Sequence, residues 1–310
     1  MMRSLYSAIT GLKNHQISMD VIGNNIANVN TAGYKRERTS FATMLGQEIR
    51  GASAPTDTTG GINGISIGLG TILNSVDKII GQGSSQYTGK KTDMMIQGEG
   101  MFILQSSAGN VYTRVGNFDF DKDGNLIDVG TGSKVQGYAY IIDNIDTSTT
   151  PPTIEPADDP WGAPGTLPGD VQFTLGDPLD SSDPNLEGYT LNSFSISQDG
   201  VITGIYSDGI NSVTVPMFKI AIATFPNQAG LISQGNNYYT ASNNSGEPSI
   251  GHPGMDGRGL IIPNYLEMSN VDLSQEFTDM IVTQRGFQAN SRVITVSDTM
   301  LQELIDLKRN

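Results

Sequence analysis

The sequence predicts a mixed, mainly β chain, with discontinuous β domains in its middle and N- and C-terminal α-helices that pair as a coiled coil. Three observations predict this. Apolar side chains recur every seven residues near the front, where Leu5, Leu12, Met19 and Ile26 form one track and Ala8, His15, Ile22 and Val29 its partner. They recur again near the back, at Leu273, Met280, Phe287, Ile294 and Leu301. A spacing of seven keeps side chains on one stripe of a helix, the geometry of a coiled-coil seam. Between these ends run short β-prone segments punctuated by Gly, Asp and Asn, in a chain with 37 glycines. Regular strand-and-turn spacing points to a sandwich or barrel rather than alternating βα units. Neither apolar stripe can be buried by its own helix, so each end needs a partner, and that points to assembly rather than catalysis.

Residues 3–30 read as helix, roughly 40 Å long at 1.5 Å per residue. Gly11 and Gly23 weaken it, each by about 1 kcal/mol relative to Ala, so in isolation it frays in water. Asn28, Asn30, Thr31 and Gly33 are turn formers that stop it, and Tyr34 to Phe41 restarts as an extended or short helical piece. Residues 51–66 are small and polar, without periodicity, and read as a flexible loop. From Ile67 to Ile142 the runs VDKII, MMIQ, MFILQ, VYTR, NFDFD and YAYII read as strands. Residues 143–190 turn Pro- and Asp-rich, with strands offered by Val171–Leu175 and Tyr189–Ile196, and read as a small inserted lobe. Strands resume through FSISQDGVITGIYSDG and VTVPMFKIAIATF, and residues 226–265 read as irregular.

A helix from Leu273 to about Lys308 closes the chain. Ser269 or Asn270 can cap it, with Asp272 suited to its N-terminus and Lys308 and Arg309 to its C-terminus. Gln284, Ser291 and Asp298 take its second heptad track, which makes the seam narrow and polar. The expected domains are residues 1–30 with 270–310 as a helical polymerisation domain, 31–142 with 191–269 as a discontinuous β-rich core, and 143–190 as a small acidic outer lobe.

The formal net charge is −14 and there is no cysteine. Residues 143–215 hold 12 acidic residues and no Lys or Arg, whereas residues 1–50 hold 6 basic residues against 3 acidic ones. An acidic surface disfavours nucleic acid, which demands clustered positive charge. The lack of cysteine excludes disulfides, thiolate metal sites and a cysteine nucleophile. No stretch approaches the ~18 apolar residues of a membrane span, and LYSAITGLKNHQISMD breaks any apolar run that would make a secretory signal.

Chemistry finds little footing. Asp119, Asp121, Asp123 and Gly124 resemble the first half of a calcium loop, but the twelfth position is Gly130, where the loop needs a bidentate Glu. A DKDGN turn between two strands accounts for the same residues. His15 and His252 are the only histidines, too few without Cys for a usual zinc site. No G-x-S-x-G elbow and no phosphate loop occurs. Paired carboxylates of a glycosidase are easy to find among 32 acids, but a sugar cleft wants stacking aromatics and the chain has a single Trp161, read as a plug of the small lobe. The expectation is a non-enzyme with no cofactor, no metal and no small-molecule substrate.

Longer motifs carry a resemblance. ANVNTAGYKRERTSF resembles the N-terminal signature of the bacterial flagellar rod and hook proteins, with Asn28, Asn30, Thr31, Gly33, Tyr34 and Lys35 as its motif residues. NVDLSQEFTDMIVTQRGFQANSRVITVSDTMLQELIDLKR resembles the C-terminal signature, and IQGEGMFILQ, YTRVGNFDFDKDGNL and FSISQDGVITG fall between them in the expected order. The MIVTQRGFQANSRVI segment, the Leu-Lys-Arg ending and the acidic insert are most similar to hook subunits; the distal rod protein is the alternative. An exported β-rich adhesin is a third reading, and it leaves the twin heptad ends unexplained.

The resemblance implies a structural subunit that pairs its terminal helices and polymerises helically into the flexible joint between rod and filament. Implied partners are further copies of itself, the distal rod protein, the hook cap protein, the hook–filament junction protein and the flagellar type III export apparatus. The implied location is the flagellar basal body and hook, outside the cell after export without a cleaved signal.

Overall fold

A computed structural model describes residues 2–55, 60–107, 109–140, 142–146, 153–156, 161, 168–174, 189–209 and 211–309. The chain is mainly β with two helices, α1 (Met2–Ala27) and α2 (Leu273–Arg309). It divides into two compact units, one of residues 1–29, 35–79 and 271–310, the other of residues 30–34 and 80–270. Residues 35–79 thus cluster with the two helices.

The second unit is built on a 13-stranded antiparallel sheet. Its main path runs Thr190–Ile196, Val201–Ser207, Ser212–Ile220, Lys134–Ala139, Met101–Ser106, Gly109–Thr113, Tyr238–Thr240 and Ile232–Gly235. The central strand Met101–Ser106 explains why MFIL is apolar without alternation. Successive side chains of a strand point to opposite faces. Here Phe102 and Leu104 enter a core with Phe118, Leu126, Ile202 and Ile220, while Met101 and Ile103 enter a second core with Tyr112, Ala221, Phe225 and Tyr239. Both faces of this strand are covered. The strand Val201–Ser207 shows the simpler rule, with buried Ile202, Gly204 and Tyr206 alternating with half-buried neighbours.

Two readings of the sequence are corrected in this unit. Residues 226–265, expected to be irregular, contain four strands, Ile232–Gly235, Tyr238–Thr240, Ser249–Gly251 and Leu260–Pro263. Each is three or four residues long, too short for period-two alternation to register. The described part of the expected strand Val171–Leu175 is not regular: the two-residue strand Gly169–Asp170 lies just ahead of it, and a single bridge joins Gln172 to Asn125; Leu175 lies outside the described residues. So does most of the expected lobe 143–190, whose described parts include an antiparallel pairing of Ile142–Asp146 with Thr153–Pro156. Trp161 stands edge-on to Tyr140, ring centroids 4.9 Å apart, with the Lys219 ammonium 5.6 Å from its ring.

In the first unit, strand Glu37–Thr43 pairs antiparallel with Thr71–Lys78, with a bulge after Ser40. Gln47–Arg50 and Ile65–Ile67 form a second antiparallel pair, continued by a bridge between Ser53 and Ile62. The stretch 51–66, expected to be a flexible loop, is therefore partly a hairpin. Its Gly and Ser content hid a pairing that backbone hydrogen bonds make without side-chain help. α2 is capped by Asp272, whose Oδ1 accepts the N–H groups of Ser274 at 2.8 Å and Gln275 at 3.3 Å, rather than by Ser269 or Asn270. An Asp one residue before the first helical residue is placed to take those orphan donors.

Candidate functional site

The first unit carries the residues that the sequence marks for assembly. α1 and α2 run antiparallel: a Cβ on Gly11 would stand 2.6 Å from Asn290 Nδ2, and a Cβ on Gly286 would stand 2.6 Å from the His15 ring. Near the other end of the pair, Asn25 Nδ2 donates to Glu276 Oε2 at 3.1 Å. Each step along α1 is matched by an equal step back along α2. The two glycines let the helices approach at points where any side chain would collide. Gly11, costly to an isolated helix, is therefore required by the pair.

The seam between the helices is polar. On α2 the buried track is Glu276, Thr283 and Ser297, with Asn290 half-buried in the same phase. Gln284, Ser291 and Asp298, expected there, are all exposed. Heptad tracks three and four residues from Met280 are both polar, so hydropathy does not choose between them. On α1 the buried residues are Ala8, Asn14, Ser18, Ile22 and Asn25. Asn14 Nδ2 donates to Thr71 Oγ1 at 2.8 Å, and Thr39 Oγ1 lies 3.3 Å from Ser18 Oγ, which ties α1 to the first strand pair.

The apolar tracks flank this seam. Leu5, Leu12, Met19, Ile26 and Val29 are half-buried, as are Met280, Phe287, Ile294 and Leu301, whereas Leu273 is exposed. A further apolar stripe, unremarked in the sequence, faces outward on α2. Val293, Val296, Met300, Leu304 and Leu307 follow the three-and-four spacing of one helix face, and Leu307 is 73% exposed. Phe277, Ile281 and Val282 are more than half exposed closer to the N-terminus of α2. The spacing is present in the sequence but overlaps the seven-residue repeat at 273–301, which masks it.

Of the motif residues, Asn28 closes α1 by donating through Nδ2 to the Asn24 carbonyl at 2.9 Å. Asn30 is exposed, Thr31 and Tyr34 are half-buried, and Gly33 and Lys35 are buried. Gly33 has φ +67°, and a Cβ there would meet Val115 at 2.7 Å. Its N–H donates to the Glu267 carbonyl at 2.8 Å, so both backbone angle and space require glycine. Sequence reasoning missed Arg36, which pairs with Glu276 and reaches Asp279 at 3.2 Å.

Among the described residues no group of three or more His, Cys, Asp or Glu side chains is placed to hold a metal ion. Asp121 and Gly124 close a turn, with Gly124 N–H donating to the Asp121 carbonyl at 2.9 Å. Asp119 pairs with Lys90 at 3.0 Å, and that hydrogen bond holds its carboxyl below the ordinary carboxylate range. His15 meets Gly286 and His252 lies against Tyr138, ring centroids 4.6 Å apart; the two histidines belong to different units. Among the described residues no helix is long and apolar enough to cross a membrane.

Comparison with known proteins places relatives along the whole chain. Residues 5–35 match the family described as Flagella basal body rod protein, 95–204 the Flagellar hook protein FlgE/F/G D1 domain, and 262–307 the Flagellar basal body rod FlgEFG protein C-terminal. The chain is 41% identical to the flagellar basal-body rod protein FlgG of Bacillus subtilis over 310 residues, covering 100% of both chains. It is 33% identical to the flagellar hook protein FlgE of Borreliella burgdorferi over 444 residues, covering 99% of this chain and 100% of that one. Against the rod protein FlgG of Agrobacterium fabrum it is 35% identical over 303 residues, covering 96% and 97%.

Proposed function

The chain belongs to the flagellar rod and hook protein family, and from that premise we propose that it is the hook subunit, polymerising helically through its terminal helices, paired as a coiled coil, into the joint between rod and filament. The observation that carries polymerisation is the outward stripe Val293, Val296, Met300, Leu304 and Leu307. Full burial of one such side chain is worth roughly 1.5–3 kcal/mol, and among the described residues these five stay 43–73% exposed, so much of it is left uncollected. Copies of the same chain, packed around a common axis, cover the stripe.

On this reading Leu5, Leu12, Met19, Ile22, Ile26 and Val29 with Leu273, Met280, Phe287, Ile294 and Leu301 are the polymerisation residues. The partners are further copies, the distal rod protein, the hook cap, the hook–filament junction protein and the type III export apparatus. The subunit is a structural protein of the flagellar axis with no catalytic role. The insert between the β halves supports hook over rod.

A specific observation favours the second reading, distal rod. The 41% match to the rod protein runs over 310 residues, the length of this chain, whereas the match to the hook protein runs over 444. Electron microscopy of polymers grown from the pure protein separates the two. Curved tubes are expected, and straight stiff tubes would establish the rod reading instead. Val296→Asp is expected to leave the monomer folded and yield no polymer; tubes from that variant would remove the stripe from the argument.

A further inference from the structure

One side-chain cluster in the first unit joins two segments near the front of the chain to α2 near its end. Asn25 and Glu276 are each 1% exposed. The Asn25 amide donates to Glu276 Oε2 at 3.1 Å and to the Glu37 carbonyl at 2.8 Å, while its Oδ1 accepts the Glu37 N–H at 3.0 Å. Arg36 Nε donates to Glu276 Oε1, and its Nη2 donates to Asp279 Oδ2 at 3.2 Å. Asn25 comes from α1, Arg36 from the segment after the turn, and Glu276 and Asp279 from α2.

The flanking apolar tracks repeat every seven residues on both helices, at Leu5, Leu12, Met19 and Ile26 and at Met280, Phe287, Ile294 and Leu301. Sliding one helix past the other by seven residues matches apolar to apolar again. Hydrophobic contact therefore does not select one alignment. The buried carboxylate does. A slip of seven in either direction takes Glu276 away from Asn25 and Arg36, leaving a buried charge without its cation, one of the costliest defects a fold can carry. Setting register is the best-attested use of a buried charged or polar group between helices.

We propose that Asn25, Arg36 and Glu276 are positioning residues that clamp the register of the helix pair, selecting the alignment in which Gly11 meets Asn290 and His15 meets Gly286. Because Glu276 lies 240 and 251 residues from its two partners, the clamp closes only when both ends of the chain are present. The strand pair that follows α1 is tied in through Glu37, so the clamp sets the helices against that strand as well.

The chain has no cysteine, so disulfide mapping on the full-length protein reads only introduced pairs. Ser18→Cys with Thr283→Cys reports the observed alignment, in which both residues line one cavity; Ser18→Cys with Asn290→Cys reports a slip of seven. With the clamp intact, only the first pair is expected to cross-link. In an Arg36→Met/Glu276→Met background, which replaces the ion pair by apolar volume, the slipped pair is expected to gain at least about tenfold relative to the first. Glu276→Gln, which keeps an acceptor for Asn25, is expected to show a smaller gain in the same direction. Cross-linking of the 18–283 pair alone in the double-methionine background would overturn the proposal. So would loss of both cross-links together with the helical circular dichroism signal, because the cluster would then supply stability and not register.

Discussion

The two units bury opposite kinds of side chain. In the unit of residues 30–34 and 80–270 the fully enclosed residues are Phe102, Phe118, Met94, Leu104, Ile202, Ile220 and others like them, the ordinary contents of a core. Among the described residues of the helical unit, the buried apolar side chains are Ala8 and Ile22, against buried Asn14, Ser18, Asn25, Lys35, Glu276, Thr283 and Ser297. Its other large apolar residues are half-buried or outside, with Leu45 at 88%, Leu307 at 73% and Val282 at 64% exposure. One unit holds its hydrophobic free energy inside; the other presents it to whatever covers it. On the proposed function, the difference teaches that stability and assembly fall to separate parts of one chain.

Substitutions can break that contrast in a graded way. Phe102→Ala should destabilise the β unit by about 3–5 kcal/mol, the usual cost of emptying an enclosed aromatic site. Urea unfolding followed through the fluorescence of Trp161, which packs on Tyr140 in that unit, measures it; a shift typical of a surface residue would mean the core is not where the free energy resides. Phe287→Asp or Ile294→Asp should abolish assembly while the β unit unfolds at its usual urea concentration. Tubes of normal length from either variant would refute the division of labour.

The polar seam predicts a difference that needs no mutation. A helix pair with so little apolar burial of its own is expected to open locally in the free subunit and close in the polymer. Hydrogen exchange should therefore show residues 1–30 weakly protected in monomer and strongly protected in tubes. Equal strong protection in both states would sink this expectation.

A smaller effect tests the β unit's own polar interior. Tyr238 donates to Asp128 Oδ2 at 2.5 Å and contacts Thr131 Oγ1. Burial first, and then the Asp128 carboxylate, push the phenol well above its ordinary value of 10.0. A raised folded-state pKa stabilises the fold fully below the unfolded value and loses that contribution as pH rises beyond it. Stability should thus decline above pH 10 or so, as the unfolded chain releases a proton that the native state retains. Tyr238→Phe should cost roughly 1.5–3 kcal/mol near neutrality, the range for a hydrogen bond to a charged group, and should flatten that alkaline limb. An unchanged limb in the variant would locate the titration elsewhere.

Much of the fold was legible along the chain, for identifiable reasons. α1 and α2 were visible because their periodicity runs over several turns, and the strands 201–207 and 212–220 because they are long enough to alternate. Strands of three or four residues within 226–265 were not visible, since no period can be read from so few positions. The stop at Asn28 and the need for glycine at 33 were visible as turn chemistry, although the partner of Gly33, the Glu267 carbonyl, was not. The site was half legible: the apolar tracks at Leu12 and Phe287 were found, and the seam residues Glu276 and Thr283 were not, because two candidate tracks were equally polar.

The sequence by itself determined that this chain has helical ends, a β middle and apolar stripes that their own helices cannot bury. Those are local properties, set by spacing and turn residues within a few positions of one another. Only the tertiary structure decided that Gly11 faces Asn290, that Glu276 is enclosed with Asn25 and Arg36, and that Leu304 and Leu307 face outward. A repeat of seven reads the same at every slip, so the choice among slips rests on a buried charge and its cation, brought together from opposite ends of the chain.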